Sequence, residues 1–85
     1  MGDLEIYIKI LKEKDFVFAQ DDINSSIMVY KYFSEDVEEY AYLYITYNKK
    51  YNYIVKLNLF QDKEIFNKEK FLKELEDEFE KIKND

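Results

Sequence analysis

The sequence predicts one α+β domain over residues 1–85, in the order α-β-β-β-β-α: an antiparallel sheet of three to four strands with an N-terminal and a C-terminal helix packed on one face. Three observations lead there. Residues 71–82 repeat apolar side chains at a helical period, and residues 27–60 contain short runs that alternate in twos between polar connectors. A chain of 85 residues with no proline and a single glycine has room for one hydrophobic core and no linker. Successive hairpins ending in a helix favour helices gathered on one side of an antiparallel sheet.

In the first segment two periods compete. Leu4, Tyr7, Ile8 and Leu11 form a helical stripe behind Asp3 as N-cap, whereas Leu4, Ile6, Ile8 and Ile10 alternate with Glu5, Tyr7 and Lys9 as a strand would. Helix is preferred, because Lys12-Glu13-Lys14 prolongs a helix-forming stretch and Phe16-Val17-Phe18 then opens a short strand. Residues 21–26, polar but for Ile23, make the following turn. Ile27 to Phe33 is rich in β-branched and aromatic residues and reads as the next strand.

Ser34-Glu35-Asp36 turns the chain into residues 39–47, where Ala41, Leu43, Ile45 and Tyr47 fall on one side and Tyr40, Tyr42, Tyr44 and Thr46 on the other. Asn48-Lys49-Lys50 connects this run to residues 51–60, in which Tyr51, Tyr53, Val55, Leu57 and Leu59 alternate with a more polar set. The two runs should form a hairpin. In the last segment, residues 67–83, Phe71, Leu72, Leu75, Phe79 and Ile82 keep to a stripe about 100° wide. Asn67 is the N-cap, Glu69 suits the helix dipole, and Glu69/Lys73 and Asp77/Lys81 are candidate pairs on the wet side.

Composition narrows the chemistry. The chain has no cysteine, so disulfides and thiolate metal sites are excluded, and it has no histidine. Without either, the commonest general base and the best nucleophile are missing. Ser25, Ser26 and Ser34 sit in no nucleophile motif, and Gly2 alone cannot build a phosphate loop. No catalytic residue, cofactor or metal is therefore expected. Asp22-Ile23-Asn24-Ser25-Ser26 superficially resembles the start of an EF-hand, but it lacks the glycine at the sixth loop position, and Phe33 stands where the twelfth should be glutamate.

The net charge is −6, from 19 acidic and 13 basic residues, which repels nucleic acid and anionic lipid and attracts basic protein surfaces. No basic-then-apolar leader or long apolar run is present, so the expected compartment is the cytoplasm of a bacterial host. A weight of Lys, Asn, Ile, Tyr and Glu typical of AT-rich coding DNA agrees with that.

The nine tyrosines carry the functional expectation. If Ala41, Leu43 and Ile45 face the core, Tyr40, Tyr42 and Tyr44 face away, and a neighbouring strand in register adds Met28, Tyr30 and Tyr32 to them. The result is a tyrosine platform bordered by Glu35, Asp36, Glu38 and Glu39, suited to a protein partner with a basic surface. The plainer reading is cross-strand tyrosine pairing on a half-wet sheet. Base stacking of single strands would need a positive groove, and the border here is negative. Glu69, Glu76 and Glu80 also lie within about 50° of one another on the last helix, although Lys73 interrupts the row.

The Asp3-Leu4 to Lys14 stretch, followed by Asp15-Phe16-Val17 and by the Asn24-Ser25-Ser26-Ile27 turn, resembles over residues 3–60 small acidic phage-encoded anti-CRISPR inhibitors of the DNA-mimic type. Toxin immunity proteins are similar in the same loose way. The resemblance implies a non-enzymatic inhibitor docking on a basic channel or regulatory surface of a nuclease, and it assigns no individual residue. The expected function is thus an inhibitor or antagonist, with Tyr30, Tyr32, Tyr40, Tyr42 and Tyr44 as anchors and the four acids as steering charges. Two alternatives stand beside it: a homo-oligomeric accessory protein that buries the tyrosine face against itself, and a small-ligand binder.

Overall fold

In a computed structural model, which describes residues 2–84, the elements are α1 (Asp3–Glu13), β1 (Val17–Asp22), β2 (Ile27–Ser34), β3 (Glu39–Asn48), β4 (Tyr53–Phe60) and α2 (Lys68–Lys83). The four strands form one antiparallel meander in the order β1-β2-β3-β4. The fold is α+β, as the sequence predicts. Among the described residues no helix is long and apolar enough to cross a membrane.

The N-terminal segment is a helix because a wide apolar stripe, Leu4, Ile6, Tyr7, Ile10 and Leu11, finds cover on the sheet and on α2. The N-cap is Gly2, with no side-chain cap bond, and Asp3 stands inside the first turn instead. There its charge suits the helix dipole and pairs with Lys83 at 3.5 Å. The helix closes in a Schellman turn: Phe16 N–H donates to Leu11 O at 2.9 Å and Asp15 N–H to Lys12 O at 3.3 Å. Asp15 takes the left-handed conformation, φ 68°, that this turn demands. The chain leaves with Phe16 buried against the core it has just helped to form.

The hairpin connections, residues 23–26, 35–38 and 49–52, each end on a left-handed residue: Ser26, Glu38 and Asn52. Asp21 and Asp22 end β1 rather than lying in the turn, and the Asp22 carboxylate accepts from Ser25 N–H at 3.3 Å. Asn48 does the same for Tyr51 N–H at 3.1 Å. The last hairpin is tied to the helix start, where Leu4 N–H donates to Asn52 O at 3.3 Å and the Asn52 amide to Glu5 Oε1 at 3.0 Å.

Both helices lie on the same side of the sheet. The core joins the α1 stripe to Tyr30, Ala41, Leu43, Ile45, Tyr47 and Leu59 and to Leu75 of α2. Asn67 caps α2 by accepting from Lys70 N–H at 3.0 Å. Of its stripe only Leu75 is fully buried, with Phe71, Leu72 and Phe79 partly so. The pairs on its wet side differ from those expected: Lys73 meets Asp77 at 3.7 Å, while Lys83 reaches across to Asp3. A smallest extent of 18 Å is one layer of helices over one sheet. The other face of the sheet is therefore uncovered.

Candidate protein-binding face

Register decides which side chains reach the uncovered face. Residues directly opposite in an antiparallel pair share a face. Val29 lies opposite Tyr44, Lys31 opposite Tyr42 and Phe33 opposite Tyr40; Phe60 lies opposite Tyr42 and Asn58 opposite Tyr44. The outer face thus carries Phe33, Tyr40, Tyr42, Tyr44 and Phe60, with the three tyrosines 43, 40 and 38% exposed. Their rings support one another. Phe33 and Tyr40 meet edge-to-face at 5.2 Å, Tyr44 and Phe60 at 5.0 Å, and Tyr40 and Tyr42 are 6.3 Å apart.

The same register removes two of the expected anchors. Tyr30 lies opposite Leu43, Tyr32 opposite Ala41 and Met28 opposite Ile45, which pins all three to the helix side. Tyr30 is only 4% exposed and packs on Phe18 at 5.5 Å. Burial first, and then the charge of Asp21, raises its pKa. Tyr32 is wedged half-buried between Phe16 and Phe71, 5.2 Å from each. The places predicted for them on the outer face fall to Val29, Lys31 and Phe33.

The acidic border is divided as well. Glu38 and Glu39 flank a hollow of about 560 Å³ that opens onto Phe33, Tyr40, Tyr42 and Phe60, and Asp62 adds a third carboxylate. Gln61 fixes this corner by donating to Tyr40 O at 2.8 Å and accepting from Lys63 N–H at 2.8 Å. Glu39 is partly matched by Lys63 at 3.8 Å. Glu35 and Asp36 turn the other way, toward Asp15, Tyr32 and Ser34 at the edge of the helical layer. The face also holds a cation: the Lys31 ammonium lies 4.9 Å from the centre of the Tyr40 ring.

Tyr40, Tyr42 and Tyr44 of β3 and two of the four acids therefore meet on one surface, joined by Phe33 and Phe60, which the sequence analysis does not assign to it. Phe33 was recoverable from the 35–38 connector, since pairing Ser34 with Glu39 sets Phe33 opposite Tyr40. Phe60 was recoverable too, since alternation with Leu57 and Leu59 sets it beside Asn58; what alternation misses is a bulge opposite Thr46 and Tyr47 that shifts the start of β4 by one residue. The same bulge turns Ile54 to the core and leaves Tyr53 and Val55 exposed, although strict alternation groups those two with Leu57 and Leu59.

The surface offers ring faces and edges, phenol hydroxyls and carboxylates. Among the described residues no three His, Cys, Asp or Glu side chains converge as metal ligands would. Comparison with protein-family models, with curated proteins and with solved structures finds no match for the chain.

Proposed function

We propose that this chain is a small non-enzymatic inhibitor or antagonist that binds a protein partner through the outer face of its sheet. The observation that carries the reading is the open face itself. Five aromatic rings lie side by side, each roughly half in water, where a sheet needing only solubility would carry polar side chains. Tyrosine is favoured at interfaces because its rigid ring gives much contact area for little entropy. Tyr40, Tyr42, Tyr44, Phe33 and Phe60 are the anchors, and Glu38, Glu39 and Asp62 at one end orient a basic partner surface. A nucleic-acid-processing or bacterial defence enzyme fits that charge, in keeping with the resemblance to phage-encoded inhibitors, and places the protein in a bacterial cytoplasm.

The test is a pull-down with this protein as bait, washed at low and at moderate salt. Retention of one basic enzyme, lost as salt rises and lost with Tyr40, Tyr42 and Tyr44 all changed to Ser, is the expected result. Retention that survives the triple change would mean that another surface does the binding. With that enzyme in hand, replacing Glu38, Glu39 and Asp62 by Ser should slow association and flatten its salt dependence. An unaltered association rate removes the steering role.

Lys31 favours a second reading, self-association through the same face, because a surface holding both a cation and carboxylates can pair with its own copy. Sedimentation at micromolar concentration separates the two. A constitutive dimer leaves no open platform.

A further inference from the structure

A second concavity lies on the helical side, between α2 and the bulged part of β4, with Tyr7 of α1 in its wall. Its volume is about 430 Å³, within the range of small-molecule sites. Ile54, Leu57, Leu72 and Phe79 make it largely apolar, and the bulge at Val55 splays the strand that borders it. Glu76 and Glu80 stand along its rim, one helical turn apart.

Two observations indicate what belongs there. Tyr7 is 2% exposed, and its hydroxyl has no hydrogen-bond partner among the described residues. Buried hydroxyls are almost always partnered, since an unmatched one destabilises the fold. Burial, and then the negative charge of Glu76, raise the pKa of this phenol, so it stays neutral and able both to donate and to accept. The second observation is Lys83. Its ammonium lies 5.6 Å from the centre of the Phe79 ring and 3.5 Å from an Asp3 carboxylate oxygen. The chain thus already holds one of its own amines between a ring and a carboxylate of this cleft. Asp3 is matched by that contact, whereas Glu76 and Glu80 form no ion pair among the described residues.

We propose that the cleft binds an organic cation with an apolar stem, its ammonium or guanidinium held by Glu76 and Glu80 and its stem laid against Leu57, Leu72 and Phe79. The Tyr7 hydroxyl is the inner polar contact, accepting from the cation. Such a cation comes either as a free small amine or as the Lys or Arg side chain of a docking protein.

The test uses the full chain, followed by ¹H–¹⁵N spectra during titration with n-hexylamine, with uncharged n-hexanol, and with a blocked Ala-Lys-Ala peptide. The amine or the peptide should cause saturable shifts at Ile54, Leu57 and Leu72, and hexanol should bind about tenfold more weakly, the ratio expected for one charge-assisted contact. Glu76→Gln with Glu80→Gln, both on exposed positions, should cost about the same factor without disturbing the fold. Tyr7→Phe should raise the melting temperature of the free protein and weaken binding, whereas a merely structural hydroxyl would change stability alone. Hexylamine without the peptide points to a free amine, and the peptide at equal or greater strength points to a protein side chain. Equal binding of hexanol, no saturable shift with any probe, or undiminished binding by the double variant overturns the proposal.

Discussion

Alternate residues of the same strands meet two different environments. On the inner face Tyr30, Ala41, Leu43, Ile45, Tyr47 and Leu59 are sealed beneath the helices; on the outer face Phe33, Tyr40, Tyr42, Tyr44 and Phe60 lie half in water. Aromatic content does not separate them, because both faces carry tyrosine. What separates them is the aliphatic set at the centre of β3, which fills a helix-covered layer without leaving a hydroxyl to satisfy. Folding free energy should therefore come mainly from one face, while the apolar area of the other is left for association.

The sharpest way to break that contrast is to truncate neighbours on opposite faces. Leu43 is 0% exposed at the middle of the inner face, and Leu43→Ala should cost about 3 kcal/mol. In a domain this small that is most of the stability, so the variant should be largely unfolded or melt far lower. Tyr42→Ala, one residue away on the open face, should cost about 1 kcal/mol or less. Chemical denaturation of the two variants checks both. Similar losses would mean that the outer rings belong to the folding core.

Alkaline unfolding reads the inner face from a second direction. Tyr7 and Tyr30 have folded-state pKa values raised above the ordinary tyrosine value of 10.0. A raised acid binds its proton more tightly when folded. Its contribution is therefore complete below the unfolded pKa near 10 and is lost as pH climbs toward the folded value. Stability should be flat on this account up to about pH 9.5 and then fall by about 1.4 kcal/mol per pH unit for each tyrosine kept neutral only by folding. Tyr7→Phe should lessen the slope by one such proton and, by removing an unmatched hydroxyl, add about 1 kcal/mol at neutral pH. An unchanged slope would mean that Tyr7 ionises as readily folded as unfolded.

The contrast between the faces also explains what could be foreseen. Element order was legible because helical and two-residue periods are local properties, and the competing periods of residues 4–11 resolve to helix once both helices have a sheet to cover. The face taken by Tyr30 and Tyr32 depends on which residue of β2 sits opposite which of β3. The 35–38 connector sets that register, and a slip of one residue would exchange the two faces. The bulge at Val55 lies outside any strict alternation, and with it lay hidden both the inward turn of Ile54 and the cleft beside Tyr7. Gly2 in place of Asp3 as N-cap has a tertiary cause too. It lies so close to the Asn52 side chain that a Cβ there would collide with the amide.

The smallest expected effect sits where the two faces join. Glu38 closes the β2–β3 hairpin with φ 56°, a conformation that disfavours a residue with a Cβ by about 1–2 kcal/mol. Glu38→Gly removes that strain but frees the unfolded chain, which returns about 0.5–1 kcal/mol. The difference is a gain of about 0.5 kcal/mol, small but measurable by denaturation. Asn52 has nearly the same φ, 54°, yet Asn52→Gly should gain nothing, because its amide donates to Glu5 at 3.0 Å and ties the β3–β4 turn to α1. If Glu38→Gly instead destabilises the protein, the carboxylate is supporting its turn rather than standing free at the rim of the aromatic face. A partner-binding change in that variant could then no longer be assigned to charge alone. If it stabilises as expected while association with a partner slows, Glu38 acts on the partner and not on the fold.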